Sequence, residues 1–364
     1  MKITIFGLTI SSSWGNGHAT PYRAIVRALH RMGHRIVFYE RDVPYYAKHR
    51  DFTSVDFCRL VLYRDWTAIR ASALADARGS DVVINASFCP EGAKIVEDVL
   101  ALAGPLRVFY DLDTPVTLDK LEKSECEYLR RDQIVGFDLY LSWCGGKILQ
   151  ALQSQWLAKS ARPLYGCVDP EVHSRIEVPE RHPCRMSYMG THSDDRAKKV
   201  KSLLLEPARK YPGDQFVLAG SQYPHDWDWP QNLCRFEHVS PHHHSALYSA
   251  SKFTLNLTRD MMARDGYCPS GRLFEAAACG TPIISDWFEG LSHFFEPDEE
   301  ILVAQETGDV LRHFDVSEGE LKRVAKRARQ RTLTENTGQQ RARELVRYLE
   351  DAAAKRPVAI AEVA

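Results

Sequence analysis

Short apolar runs alternate along this chain with longer segments in which apolar residues recur every three to four positions. The runs read as buried strands and the 3.6-residue repeats as amphipathic helices. Residues 3–8 predict a first strand. Residues 21–32 predict a helix with core stripe Ile25, Ala28, Leu29 and Met32, capped by Thr20, with Pro21 at its first position and Gly33 at its stop. A strand at 36–39 closes a βαβ unit, and further strands are expected at 81–86, 106–110 and 137–141. Residues 169–183 carry Pro170, Pro179 and Pro183 without apolar period and read as a linker. The alternation then resumes, with strands at 186–189, 215–219, 234–239 and 253–257 and helices at 195–210 and after Pro241. This is the pattern of an α/β protein with two Rossmann-like domains, 1–168 and 184–336, whose facing strand ends bind ligands across a cleft.

The segment from Tyr267 to Pro282, running into Ile283, Ile284 and Ser285, carries the most chemistry. Ser270 is a good N-cap, Leu273, Phe274, Ala277 and Ala278 form an apolar face, and Gly280 suits a left-handed stop. Arg272, Glu275 and Cys279 share the other face. Free N–H groups beside Ser270, Gly271 and Arg272 can hold a diphosphate, and Glu275 one turn deeper can hold a ribose diol. A nucleoside diphosphate sugar fits such a helix.

Three further groups of residues end strands or open loops. The loop from Thr9 to Thr20 is rich in Ser and Gly and lets backbone approach a ligand at Gly17. His18 at its end is either a general base for an acceptor hydroxyl or a residue that orients the loop. Asp111 and Asp113 follow the strand at 106–110 and are expected at its cleft end, where they orient His18 or bind acceptor hydroxyls, unless Asp113 merely starts a turn before Pro115. Metal is the lesser use for this Asp-x-Asp. Consecutive His242, His243 and His244 point in different directions on a helix and make a poor metal site, so no metal ligands are assigned.

The SRLFEAAACGTPIISD segment, the N-terminal SSSWGNGHATPYRA segment and the YDLDTPVT segment between them resemble, in order, the CgeB-like branch of GT-B glycosyltransferases. The resemblance spans nearly the whole chain. It implies an acceptor-side first domain, a donor-binding second domain and a C-terminal segment, 337–364, that crosses back to the first domain. It also implies that Gly190, Thr191 and Arg196 lie beside the donor diphosphate, Gln222 and Tyr223 near the base, and Arg259 within reach of phosphate. UDP is the base implied by family habit, and no cofactor beyond the nucleotide sugar is expected. One departure stands out: many retaining relatives carry a second Glu eight positions before the ribose-binding one, where this chain has Tyr267.

Composition narrows the classes further. The chain has 364 residues, 44% hydrophobic and 26% charged, with 47 Lys plus Arg against 48 Asp plus Glu. Such a balance supplies no global field toward nucleic acid or anionic lipid. No run reaches the length of a membrane span, and the N-terminus lacks a signal-peptide pattern. Nine dispersed Cys with no Cys-x-x-Cys pair read as reduced thiols in a cytoplasmic enzyme. The expected activity is transfer of a sugar to an acceptor hydroxyl on a glycan, lipid-linked, protein or small-molecule partner. Two rivals remain: a dinucleotide-dependent oxidoreductase or epimerase, suggested by Gly15-x-Gly17 and Glu40, and a non-catalytic sugar-nucleotide or glycan binding protein of the same fold.

Overall fold

The computed structural model describes residues 1–177 and 183–356. Residues 178–182, which include Pro179 of the expected linker, and residues 357–364 lie outside that description.

Thirteen strands, each parallel to its neighbours, form two sheets among the described residues. The first contains β1 (Lys2–Gly7), β2 (Arg35–Arg41), β3 (Arg59–Tyr63), β4 (Val82–Ala86), β5 (Leu106–Asp111), β6 (Leu139–Ser142) and β7 (Ala161–Pro163). Their order is β3-β2-β1-β4-β5-β6-β7. The second contains β8 (Cys184–Met189), β9 (Phe216–Ala219), β10 (Leu233–Phe236), β11 (Ser251–Asn256), β12 (Ile283–Ser285) and β13 (Leu302–Val303), in the order β10-β9-β8-β11-β12-β13. Helices cover both faces, which is why central strands such as β4 are buried at every position and carry apolar runs such as Val82-Val83-Ile84. In each sheet the order reverses beside its first strand, at β1/β4 and β8/β11, so each domain opens a crevice at its strand ends.

The edge strands β3, β7 and β13 were not expected from the sequence. The second is three residues long with a proline, and at a sheet edge none needs a strong pattern. The helix expected at 21–32 runs Ala19–Arg31 with His18 at the N-cap position, which places Thr20 and Pro21 inside the first turn. The helix expected at 195–210 is split: Asp194–Val200 and Glu206–Lys210 flank a π turn at Lys201–Leu205. Pro207, without an N–H, cannot close the regular i−4 bond, and the wider turn relieves its ring.

The C-terminal helix Gly338–Ala354 packs on Ala19–Arg31, burying Ala342, Leu345 and Leu349 in the cluster that holds Ile25 and Leu29. A Cβ on Gly338 would lie 2.6 Å from the Ala24 carbonyl oxygen, so only glycine allows the two helices to meet here. The connector runs alongside: Val168 bridges Thr337, Asp169 pairs with Arg27, and Glu171 pairs with Arg31 at 2.6 Å.

Candidate active site

The two crevices share one cleft of about 620 Å³. Its second-domain wall is built on the helix Gly271–Ala278, whose Leu273, Phe274, Ala277 and Ala278 are buried against the sheet. Ser270 occupies the N-cap position in an extended conformation, yet its hydroxyl caps no amide, contrary to the capping role read from sequence. The Gly271 and Arg272 amides begin the helix and so lack intrahelical acceptors. A Cβ on Gly271 would meet nothing nearer than the Trp143 ring at 4.0 Å, so the space above the helix terminus is open.

Arg272 is held at the strand ends. Its Nε donates to the Met189 carbonyl, Nη1 donates to Asn256 Oδ1 at 2.8 Å, and the guanidinium lies over the Tyr188 ring at 5.0 Å. Gly190 makes room for it, because a Cβ there would be 2.8 Å from Nη2. No described carboxylate forms an ion pair with Arg272, so its charge remains available to an anion in the cleft. One turn deeper, Glu275 is 8% exposed and accepts from the Tyr248 hydroxyl at 3.2 Å. Burial disfavours its charge, but His173, His244, Arg272 and Tyr248 outweigh burial and hold its pKa below the ordinary glutamate value. Glu275 therefore faces the cleft as a carboxylate.

The first-domain wall starts with the loop after β1. Glu40, fully buried at the end of β2, accepts from the Ile10 and Ser11 amides at 2.9 and 3.0 Å and from the Ser11 hydroxyl at 2.5 Å. With its acceptors so occupied, Glu40 shapes the loop and is not placed to hold a dinucleotide ribose. Asp51 adds a second anchor, taking the Ser13 amide at 2.9 Å and Arg23 at 2.6 Å. At the end of this loop His18 Nε2 lies 3.2 Å from Asp113 Oδ2, and both residues line the cleft with Gly17. Nε2 donates to that carboxylate, so the ring's lone pair lies on Nδ1, which is enclosed and unpaired, and the Asp113 carboxylate is the proton acceptor that faces the cleft. Phe88 stands beside His18 at 5.5 Å between ring centroids, with its backbone at a φ of 61°.

Asp111 corrects the sequence reading. It is fully buried below the cleft, accepting from Tyr140 at 2.6 Å, Thr117 at 2.8 Å and the Asp113 amide at 3.2 Å, and it does not line the cleft. Burial pushes its pKa up to about 6. Gln222 and Tyr223 also lie off the cleft: Gln222 is exposed, and the Tyr223 hydroxyl donates to the Gly190 carbonyl at 2.9 Å from behind. Thr191, Arg196 and Arg259 line it. Arg196 is turned onto the Thr191 carbonyl at 2.5 Å and, like Arg272, forms no ion pair with a described carboxylate, whereas Arg259 is paired with Asp195 at 3.3 Å.

Tyr267 points away from the cleft. Its ring packs on Gly146, Gly290 and His293, its N–H donates to the Glu289 carbonyl at 2.6 Å, and its carbonyl accepts from Gly145 at 3.0 Å. The neighbouring contacts also cross between domains: Trp143 Nε1 donates to the Pro269 carbonyl at 2.7 Å, and the Cys144 and Cys268 thiols meet at 2.6 Å. The donor segment is thus gripped by the loop after β6. That loop, and Glu237, His238 and Val239 after β10, line the cleft without having been singled out from sequence. Residues 237–239 were read as strand, whereas β10 ends at Phe236. Both loops follow the carboxyl ends of parallel strands, and the rule that ligands lie outside those ends in an open α/β sheet would have found both. Of the three consecutive histidines only His244 turns inward, where it meets His173 and Glu275.

Residues 196–347, fewer than half of the chain, match the profile of the glycosyl transferase-like family. The solved structures with similar folds include sucrose-phosphate synthase from Thermosynechococcus elongatus, with 13% identity, TM-score 0.68 and coverage of 98% of this chain and 100% of that one. An alpha-glucosyltransferase in complex with UDP-glucose and DNA containing an abasic site aligns at 13% identity and TM-score 0.74, covering 96% and 99%. HepE of Anabaena in complex with UDP-glucose aligns at 11% identity and TM-score 0.66, covering 96% and 100%. A search of curated proteins finds no match. The fold is that of the GT-B glycosyltransferases, two doubly wound α/β domains facing one cleft.

Proposed function

We propose that this protein is a metal-independent GT-B glycosyltransferase that moves a sugar from UDP-sugar to an acceptor hydroxyl held on the first-domain side of the cleft. The observation that carries the reading is the helix Gly271–Ala278: its open N-terminus, the unpaired charge of Arg272 and the Glu275 carboxylate all face the same cleft. The diphosphate belongs at the helix terminus, where the Gly271 and Arg272 amides, the helix dipole and the guanidinium oppose the charge that develops as the glycosidic bond breaks. These groups do the work for which other transferases use a cation. Glu275 takes the ribose diol. Gly190, Thr191 and Ser270 lie along the diphosphate, and Arg196 and Arg259 add positive potential around it.

On the facing wall, the Asp113 carboxylate, oriented by the His18 Nε2–H, receives the acceptor proton, and Gly17 leaves room for the sugar, since a Cβ there would touch nothing within 4 Å. Tyr267 takes no part in holding the sugar. The structures of the alpha-glucosyltransferase and of HepE, with UDP-glucose bound in the same fold, support UDP as the base. No helix among the described residues is long and apolar enough to cross a membrane.

The test is calorimetric titration of the purified protein with UDP, UDP-glucose, GDP, dTDP and NAD⁺, together with an assay of donor hydrolysis and transfer. Binding of a nucleoside diphosphate, weakened by about 1.5–3 kcal/mol in Glu275→Ala, is the expected result. Tight NAD⁺ binding with no nucleoside diphosphate binding would refute the reading, and donor binding without any turnover would reduce it to a binding protein.

A further inference from the structure

Glu275 is surrounded by more than the donor reading needs. His173, from the connector between the domains, and His244, from the helix Pro241–Ala250, converge on it, and their side chains are 0% and 10% exposed against 10% for Glu275. His244 Nε2 lies 3.0 Å from the Val239 carbonyl and can only donate to it, which leaves Nδ1 as an acceptor. His173 Nε2, 3.1 Å from that Nδ1, supplies the hydrogen. The hydrogen-bonded run is thus His173 to His244 to Val239, and Glu275 lies beside it. The carboxylate oxygens are 4.0 Å from His173 Nε2 and 3.6 Å from His244 Nδ1.

We propose that His173 and His244 are positioning residues that hold the Glu275 carboxylate aimed at the donor ribose, and seat it beside the Val239 loop and the domain connector. This rests on the donor reading above. The choice of imidazoles has a physical reason. An arginine or lysine in their place would take both carboxylate oxygens for itself. Two imidazoles bonded to each other stand 3.6–4.0 Å from the carboxylate, beyond hydrogen-bond reach, and leave its lone pairs for the diol. Only Oε2 accepts a hydrogen bond from a described residue, Tyr248; Oε1 is left for the ligand. The pair also spans the molecule: the His173 amide donates to the Asp169 carbonyl at 2.8 Å, and Asp169 pairs with Arg27 of the first domain.

The test compares UDP with 2′,3′-dideoxy-UDP, which lacks the diol, by calorimetry on the full chain. Wild type should bind UDP about 10- to 100-fold more tightly than the dideoxy compound, the factor for hydrogen bonds to a charged group. His173→Leu and His244→Leu should each lose about 10-fold or more for UDP while leaving the dideoxy affinity within about 2-fold, because only the Glu275 contact is disturbed. Glu275→Gln combined with His173→Leu should lose no more than Glu275→Gln alone. His173→Gln, which keeps a donor near the Nε2 position, should restore most of the UDP affinity. If His244→Leu does not fold, the two His173 variants carry the test.

Equal weakening toward both nucleotides, or additive losses in the double variant, would overturn the proposal in favour of a packing role. The three side chains could also ligate an ion, with donor atoms within 4.8 Å of one another. One equivalent of zinc in purified wild type, lost in the histidine variants, would overturn it in favour of a metal site. Equal wild-type affinity for UDP and the dideoxy compound would sink this inference and leave the donor reading standing, whereas failure to bind any nucleoside diphosphate would sink both.

Discussion

Replacing Asp111 by Asn tests whether this residue is a buried structural acid, as its surroundings indicate, or a participant in chemistry. The carboxyl is fully buried, and burial raises its pKa from 3.8 to about 6 against the opposing pull of the Tyr140, Thr117 and Asp113 hydrogen bonds. An acid whose folded pKa exceeds its unfolded value binds more protons when folded. Its contribution to stability is therefore complete below pH about 3.8 and is lost as the pH rises through about 6. A shift of about 2 units corresponds to roughly 3 kcal/mol. Asn cannot ionise, so the stability of Asp111→Asn relative to wild type should improve by about 3 kcal/mol between pH 4 and pH 7, whatever its offset at pH 4. Urea unfolding of both proteins, followed by tryptophan fluorescence at several pH values, measures this difference, and groups common to both cancel. Transfer activity at pH 7 should remain within a few-fold of wild type. A difference curve that is flat with pH would show that Asp111 is not held as a weakened acid. A loss of turnover of about 100-fold without loss of stability would return it to the chemistry.

Arg272→Lys should weaken donor binding and lower the unfolding temperature together, because a lysine cannot reach Met189, Asn256 and the diphosphate at once; unchanged titrations would remove the guanidinium from the site. His18→Ala should lower turnover about 100-fold or more with donor affinity retained if the His18–Asp113 pair takes the acceptor proton. An active His18→Ala enzyme would leave His18 as a loop-orienting residue. Leu349→Ala, fully buried where the C-terminal helix meets the first domain, should cost about 2–5 kcal/mol in urea unfolding. A cost below 1 kcal/mol would mean that the helix contributes little to holding the first domain.

The fold class was legible because strands covered by helices on both faces must be largely buried along their length, as β1, β4 and β8 are, while the helices between them need only one apolar stripe. The donor helix was legible for a similar reason. Its cap position, apolar face and polar face are all set within eight residues, so Arg272 and Glu275 could be placed on one side before any tertiary contact was known. Edges were less visible: β3 and β7 lie where burial on one side is incomplete, and the patterns there are weak or short.

What the sequence determined by itself was local: which segments are strands and helices, and which side chains share a face over a turn or two. Where strand-end side chains point was decided only in three dimensions. Asp111 and Asp113 are two residues apart, yet one is sealed beneath the sheet end and the other meets His18, 95 positions away. Glu40 looked free to hold a ribose until the loop of Ile10 and Ser11 folded over it. Tyr267 occupies a position where relatives place a sugar contact, but the grip of the loop after β6 turns it outward. The convergence of His173, His244 and Glu275 draws on segments separated by 71 and about 30 positions and has no local signature. Periodicity reports burial of an element against its neighbours, whereas a site is made by the meeting of loop ends, whose directions depend on packing between segments distant in sequence.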